Sequence, residues 1–244
     1  MTDLPAAPGP TRLGLVIDLD ICVGCHACAT SCKEWNTGGH WGPLTDVNAY
    51  QAEQRGVWFN RVFTYEVGGC GADSRTIHFP KNCLHCETPQ CVTVCPTGAS
   101  YKRAIDGIVL VDMDRCIGCK LCAWACPYGA REFDEDEGVM KKCTLCIDRI
   151  YNDNLAAAER APVCVATCPT KARRFGDFND PKSDVSRLVR ERDGFDLLPE
   201  SGYRPTSKYL PPRPRRSAPQ PEAPSAARDR VGGFLRWVDR ALSR

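Results

Sequence analysis

The chain has 244 residues, 8% aromatic and 25% charged, with a formal net charge of +2 at pH 7. That length suits one domain or two small ones, and the composition is that of an ordinary soluble protein. No apolar run approaches the eighteen or more residues of a membrane span, so the chain is not expected to cross a membrane alone.

The opening MTDLPAAPGPTRLGLVID has no basic stretch followed by an apolar one. No secretory signal is therefore read, and the cytoplasm is the expected compartment. A short strand from Val16 to Asp20 leads into Cys22, Cys25, Cys28 and Cys32, spaced C-x2-C-x2-C-x3-C. An insert over 33–79 follows. Its alternating stretch Trp58 to Glu66 is predicted to pair with Arg75–Phe79 across Gly68-Gly69-Cys70-Gly71. Cys70 is expected to be a free thiol in that turn. The second set is Cys83, Cys86, Cys91 and Cys95, with two residues added to the loop. Ser100–Ala104 and Ile108–Asp112 are predicted to form a hairpin, with Asp106-Gly107 as a two-residue type I′ turn. The third set, Cys116, Cys119, Cys122 and Cys126, has the same spacing as the first. Ala130–Asp134 and Val139–Lys142 flank a further turn, Glu135 to Gly138. The fourth set is Cys143, Cys146, Cys164 and Cys168, with seventeen residues between its second and third members.

The chain repeats internally. Val16–Cys25 lines up with Leu110–Cys119, and Cys91–Ala99 with Cys164–Ala172. Each repeat reads as a short strand, a cysteine loop and a short helix, and Gly24 and Gly118 let the backbone pack tightly there. Residues 181–202 read as a peripheral segment. From about Tyr203 to residue 228, seven prolines among Arg, Ser and Ala predict a disordered or extended linker. In Asp229–Arg244, Val231, Phe234, Leu235, Val238 and Leu242 share one helical face, with the arginines mostly off it. That pattern predicts a docking helix for a partner or an anionic membrane surface, or a helix that folds back on its own domain.

Sixteen of the seventeen cysteines thus form four sets of four. Three thiolates from one C-x2-C-x2-C loop wrap one corner of a cubane. In two-cluster ferredoxins the fourth cysteine, followed by proline, ligates the other cluster. Pro96, Pro127 and Pro169 hold that position here. Zinc would take its cysteines commonly as two C-x2-C pairs and gives the C-x3-C-P ending no role. Sixteen thiolates match four [4Fe–4S] clusters, and the implied task is carrying single electrons. Each oxidised cubane adds about −2 by formal counting, bringing the loaded chain to roughly −6 and removing the electrostatic footprint of nucleic-acid binding. Arg115, Lys120, Lys141 and Lys142 are candidates to offset cluster charge, or else form a solvated basic face. His85 and Trp124 are candidates to tune potentials, or else simple packing residues. No open His/carboxylate set for metal-dependent hydrolysis stands out, and no catalytic residue is expected. Spacing leaves open which sets share clusters. Gaps of twenty residues between sets two and three, and sixteen between sets three and four, could each serve a two-cluster ferredoxin.

Over about residues 14–178 the chain resembles the four-cluster electron-transfer subunits of dimethyl-sulfoxide reductase-type bis-molybdopterin oxidoreductases. The resemblance rests on the four sets in order, on Cys32-Lys33 without a proline, on Asn82-Cys83-Leu84-His85-Cys86 with Pro89, and on Cys126-Pro127-Tyr128-Gly129-Ala130. It implies an α+β fold of two nested bacterial-ferredoxin-like units over 12–180, the outer from sets one and four and the inner over 80–130. It implies one cluster on Cys22, Cys25, Cys28 and Cys168, and a second on Cys143, Cys146, Cys164 and Cys32. A third falls on Cys83, Cys86, Cys91 and Cys126, and a fourth on Cys116, Cys119, Cys122 and Cys95. By the same resemblance the first pair faces a molybdopterin-containing catalytic subunit and the second an integral membrane, quinone-reactive subunit. Membrane contact would then be indirect or through the C-terminal helix, at the inner face of the cytoplasmic membrane, or in the periplasm by co-export with a partner. Related nitrate reductase subunits have tryptophan in place of one set-three cysteine. Cys119 stands here, so four cubanes are implied. Trp41–Asp46 and Gly56–Arg61 look most like the subunit of sulfite-oxidising complexes. Dimethyl-sulfoxide, thiosulfate, polysulfide and tetrathionate reductases are alternatives, and a free polyferredoxin is an alternative of another class.

Overall fold

A computed structural model describes residues 3–7, 9–37, 57–68 and 74–214. Cys70, the stretch Trp41 to Gly56 and the helix expected over 229–244 lie outside the described residues. Strand β1 (Leu13–Asp18) carries Leu15, Val16 and Ile17, all fully buried. Three consecutive buried apolar residues leave a strand no solvent face, so it belongs in the middle of a sheet. β1 is indeed central, between β8 (Arg173–Asp177), antiparallel, and β9 (Lys208–Leu210), parallel.

Three hairpins complete the strands among the described residues. β2 (Asn60–Val67) pairs with β3 (Arg75–Asn82), β4 (Ser100–Lys102) with β5 (Val109–Val111), and β6 (Glu132–Asp134) with β7 (Val139–Lys141). The first and third follow the predicted pairings. The second departs at its tip. Lys102 pairs with Val109, and of the turn residues Gly107 has positive φ while Asp106 does not. A type I′ turn needs positive φ at both central residues. Here the Asp106 carboxylate instead accepts from Ile108 N–H at 3.0 Å and from Tyr151 hydroxyl at 2.7 Å, and pairs with Arg103 at 3.1 Å. That bonding widens the loop.

Helix α1 (Ala27–Thr37) spans eleven residues. α2 (Gln90–Thr93), α3 (Leu121–Trp124), α4 (Ile147–Ile150) and α5 (Val163–Ala166) are single turns, far too short to be stable alone. α1 packs on α5, and α2 on α3. The mixture of short helices and small sheets is α+β, as expected. One core joins β1 (Leu15, Ile17) to the set-two loop (Leu84), the β4–β5 hairpin (Ile108), the set-four loop (Leu145) and β9 (Tyr209).

The tail requires correction. Residues 203–210 are an ordered strap, and the compact body runs to Pro212. Thr206 and Ser207 N–H both donate to Leu84 O at 3.1 Å, and Thr206 Oγ1 donates to His85 O at 2.7 Å. Tyr209 is fully buried, stacks on Phe79 at 4.6 Å and donates its hydroxyl to Pro80 O at 3.0 Å. Pro205, Pro211 and Pro212 bracket five residues free of proline, so the backbone between them keeps its donors and can pair. The segment read as peripheral is also anchored. Helix α6 (Asp184–Glu191) buries Val185 against Val16 and Leu210, and Arg192 pairs with Asp18 at 3.0 Å. A chain ending at Pro212 is therefore expected to keep its full iron content, whereas one ending at Gly202 should lose both iron and cooperative unfolding. Iron-to-protein ratio and thermal melts of the two truncations check this.

Candidate metal centres

Cysteines distant in sequence line common cavities. Cys22, Cys25, Cys28 and Cys168 line one. Cys83, Cys86, Cys91 and Cys126 line a second, and Cys95, Cys116, Cys119 and Cys122 a third. Four cysteines around each cavity suit one kind of occupant. Cys32 stands with Cys143, Cys164 and Cys146, whose charges act on it. In every group three cysteines come from one set and the fourth is the last cysteine of another. Sets one and four exchange Cys168 and Cys32, and sets two and three exchange Cys126 and Cys95. Among the described residues no three His, Cys, Asp or Glu converge as a single ion requires. The thiols surround a volume, which fits a cubane and not tetrahedral zinc.

The loops are held open by unusual backbone. Gly24 and Gly118 both have φ +66, and a Cβ on Gly118 would lie 2.4 Å from Gly138 O. His26, His85, Lys120, Leu145 and Cys146 also have positive φ, although none is glycine. Such conformations cost of order 1 kcal/mol each and persist where surrounding structure enforces them. Their concentration in the cysteine loops marks what those loops are built to hold.

Burial pushes Cys32, Cys86 and Cys143 well up, and neighbouring thiols push further. Cys146 is raised to about 11 by burial, against a backbone hydrogen bond from Val163. Cys95 and Cys168 move down. Burial opposes this, but N–H groups of Ser100 and Arg173 and the hydroxyls of Thr97 and Thr170 outweigh it. Sites of this kind hold protonated thiols until a cation replaces the protons.

Side chains shared between groups place them next to one another. Arg173 lines the Cys22 cavity and reaches Cys164 Sγ at 3.8 Å, Lys142 bonds the carbonyls of Cys143 and of Val109, which lines the Cys83 cavity, and Arg131 lines both the Cys83 and the Cys116 cavities. The groups therefore run in series from the Cys22 cavity, through the Cys32 group and the Cys83 cavity, to the Cys116 cavity. Cys25 is exposed at one end and Cys119 at the other.

Of the four basic residues singled out from sequence, Lys142 alone is buried. Lys141 pairs with Asp134 at 2.9 Å and Glu137 at 2.5 Å, Arg115 donates to Thr97 O at 2.6 Å, and Lys120 lies 3.9 Å over the Phe133 ring. Two buried arginines, Arg131 and Arg173, reach cysteine sulfurs and were not anticipated. A signal existed: each is the fifth residue after the last cysteine of its set, in Cys-Pro-x-x-Ala-Arg. Arg173 Nε is buried without a hydrogen-bond partner, an orphan that an anionic cluster would satisfy. His85 is fully buried, accepts from Val109 N–H at 3.1 Å, and is held neutral by burial and nearby cations. Trp124 does not pack. It is 89% exposed, in the same single-turn helix as exposed Leu121, within the third cysteine set.

The 4Fe-4S dicluster domain matches residues 74–178 and again residues 21–100. The sequence is 60% identical over 212 residues to a subunit of the sulfite dehydrogenase of Allochromatium vinosum, covering 87% of this chain and 88% of that one. It is 37% identical over 269 aligned positions to the putative dimethyl sulfoxide reductase iron–sulfur subunit of Halobacterium salinarum, covering 94% of each. It is 36% identical over 201 residues to a subunit of the tetrathionate reductase of Salmonella typhimurium, covering 82% and 72%. The protein belongs to this family of iron–sulfur electron-transfer subunits. Its cofactors are four [4Fe–4S] clusters. Gly118→Ala is expected to lower iron content by about one cluster of the four, because the new Cβ meets backbone that cannot move aside. Iron and sulfide analysis of the variant checks this.

Proposed function

We propose that the sixteen cysteines hold the clusters in the groups of four described above, as two nested ferredoxin units. The chain then passes single electrons in series between a molybdopterin-containing catalytic subunit and a quinone-reactive membrane subunit, in sulfite oxidation. The observation that carries this reading is a series of four thiol groups that begins and ends at an exposed cysteine, Cys25 and Cys119. Packing of α1 on α5 and α2 on α3 supports the nesting. No residue here makes or breaks substrate bonds. Sulfite oxidation releases two electrons, and the chain takes them one at a time.

The Cys25 end is assigned to the catalytic subunit. The Cys119 end, whose loop and helix carry exposed Ile117, Leu121 and Trp124, is assigned to the membrane subunit. No helix among the described residues is long and apolar enough to cross a membrane, so membrane attachment is assigned to that partner and to the stretch 229–244. The complex is placed at the inner face of the cytoplasmic membrane. Sulfite is favoured over a sulfoxide or tetrathionate by 60% identity against 37% and 36%.

Anaerobic purification from the native host, with mass spectrometry of bound proteins, tests the assignment. A bound molybdopterin subunit that oxidises sulfite with an artificial acceptor is expected. A complex that instead reduces a sulfoxide or sulfur oxyanion would change the substrate, and an unaccompanied chain would mark a free polyferredoxin. Cys119→Ser is expected to convert the terminal cluster to a three-iron form or abolish it. Iron counting and electron paramagnetic resonance read this, and an unchanged spectrum would contradict the ligand assignment.

A further inference from the structure

A buried positive charge stands at each gap between successive thiol groups. Arg131, 6% exposed, donates from Nη2 to Cys91 Sγ at 3.1 Å and to Ser100 Oγ at 2.6 Å. It lines both the Cys83 cavity and the Cys116 cavity. Arg173, 1% exposed, donates from Nη1 to Asn82 Oδ1 at 3.1 Å and Cys164 Sγ at 3.8 Å, and from Nη2 to Asn60 Oδ1 at 2.5 Å. It also lines the Cys22 cavity, so it spans the first and second groups. Lys142, 3% exposed, donates from Nζ to Cys143 O at 2.6 Å and to the carbonyl of Val109, which lines the Cys83 cavity. It stands between the second and third groups. Among the described residues, the hydrogen-bond partners of these three cations are thiols, a hydroxyl, amides and carbonyls, not carboxylates. Burying a cation without a counter-charge is costly, so each requires an anion beside it. The anions at hand are the cysteine clusters.

We propose that Arg173, Lys142 and Arg131 are shared counter-cations, one at each gap in the series, each raising the readiness of both flanking clusters to accept an electron. This rests on the four-cluster reading above. A cubane that gains an electron becomes more negative, so a fixed nearby cation favours its reduced form. Arginine keeps its charge at any working pH.

Redox titration of the complex, followed by electron paramagnetic resonance, tests the proposal. The wild-type chain should first show four clusters; fewer would overturn the underlying reading and the inference with it. In Arg131→Gln two of the four midpoint potentials should fall by at least a tenfold change in the one-electron equilibrium, about 59 mV each. The other two should stay, and Arg131→Lys should recover most of the shift. A fully loaded Arg131→Gln with four unchanged potentials would overturn the proposal. Equal shifts in the Gln and Lys variants would also overturn it, since they would mark a purely structural role. Should Arg131→Gln shed clusters, Arg173→Gln and Lys142→Met make the same test at the other gaps, each on its own flanking pair.

Discussion

Four thiolates around one cavity repel one another, and burial removes the water that would screen them. Everything else in the body serves to make that arrangement tolerable. Iron supplies most of the compensating charge. Backbone N–H groups donated by Ser100 to Cys95 and by Arg173 to Cys168 supply part of the rest. The arginine and lysine side chains at the gaps would themselves be prohibitive in an empty interior, so cluster and cation each make the other tenable. Fold and cofactor are consequently one system rather than a scaffold with an insert.

The secondary structure reflects this. Strands of three residues and helices of one turn gain little on their own, and three of the one-turn helices carry a cysteine. Cys91 lies in α2, Cys122 in α3 and Cys164 in α5. The apolar core is a thin sheet of contacts between the cysteine loops, with Leu84 and Leu145 inside them. The insert is tied in by its own polar contacts: Glu132 accepts from Trp58 N–H at 2.5 Å and pairs with Arg61.

Much of this was legible in the sequence, because ligand spacing and strand alternation are local. The four sets and the β2–β3 and β6–β7 hairpins are read from patterns that repeat within a few residues. Other features depend on reach across the fold. Arg131 and Arg173 look like ordinary strand residues until their side chains meet sulfur from another element. Prolines at 205, 211 and 212 masked β9, whose pairing is set by a strand nearly two hundred residues earlier. Trp124 stays open between tuning and packing because a sequence does not say which side of a one-turn helix is covered; Cys122 takes the buried side and Trp124 the exposed one. The Asp106 turn departs from type I′ because its carboxylate is claimed by Tyr151 from outside the hairpin as well as by Arg103 within the loop.

The parallel pairing of Val16 with Lys208 and Ile17 with Tyr209 sets an order on biogenesis. β1 leaves the ribosome first, but both of its partners, β8 and β9, are among the last parts of the body to emerge. Until then its three apolar residues have no sheet to enter. Sets two and three, by contrast, are contiguous and can meet as soon as Cys126 is made. On the proposed pairing, the thiols of sets two and three can meet during translation, while those of sets one and four must wait for a nearly complete chain. The nascent chain thus carries an unpaired apolar strand and the thiols of set one for most of its synthesis, the kind of exposed surface that makes an unfinished chain prone to aggregation.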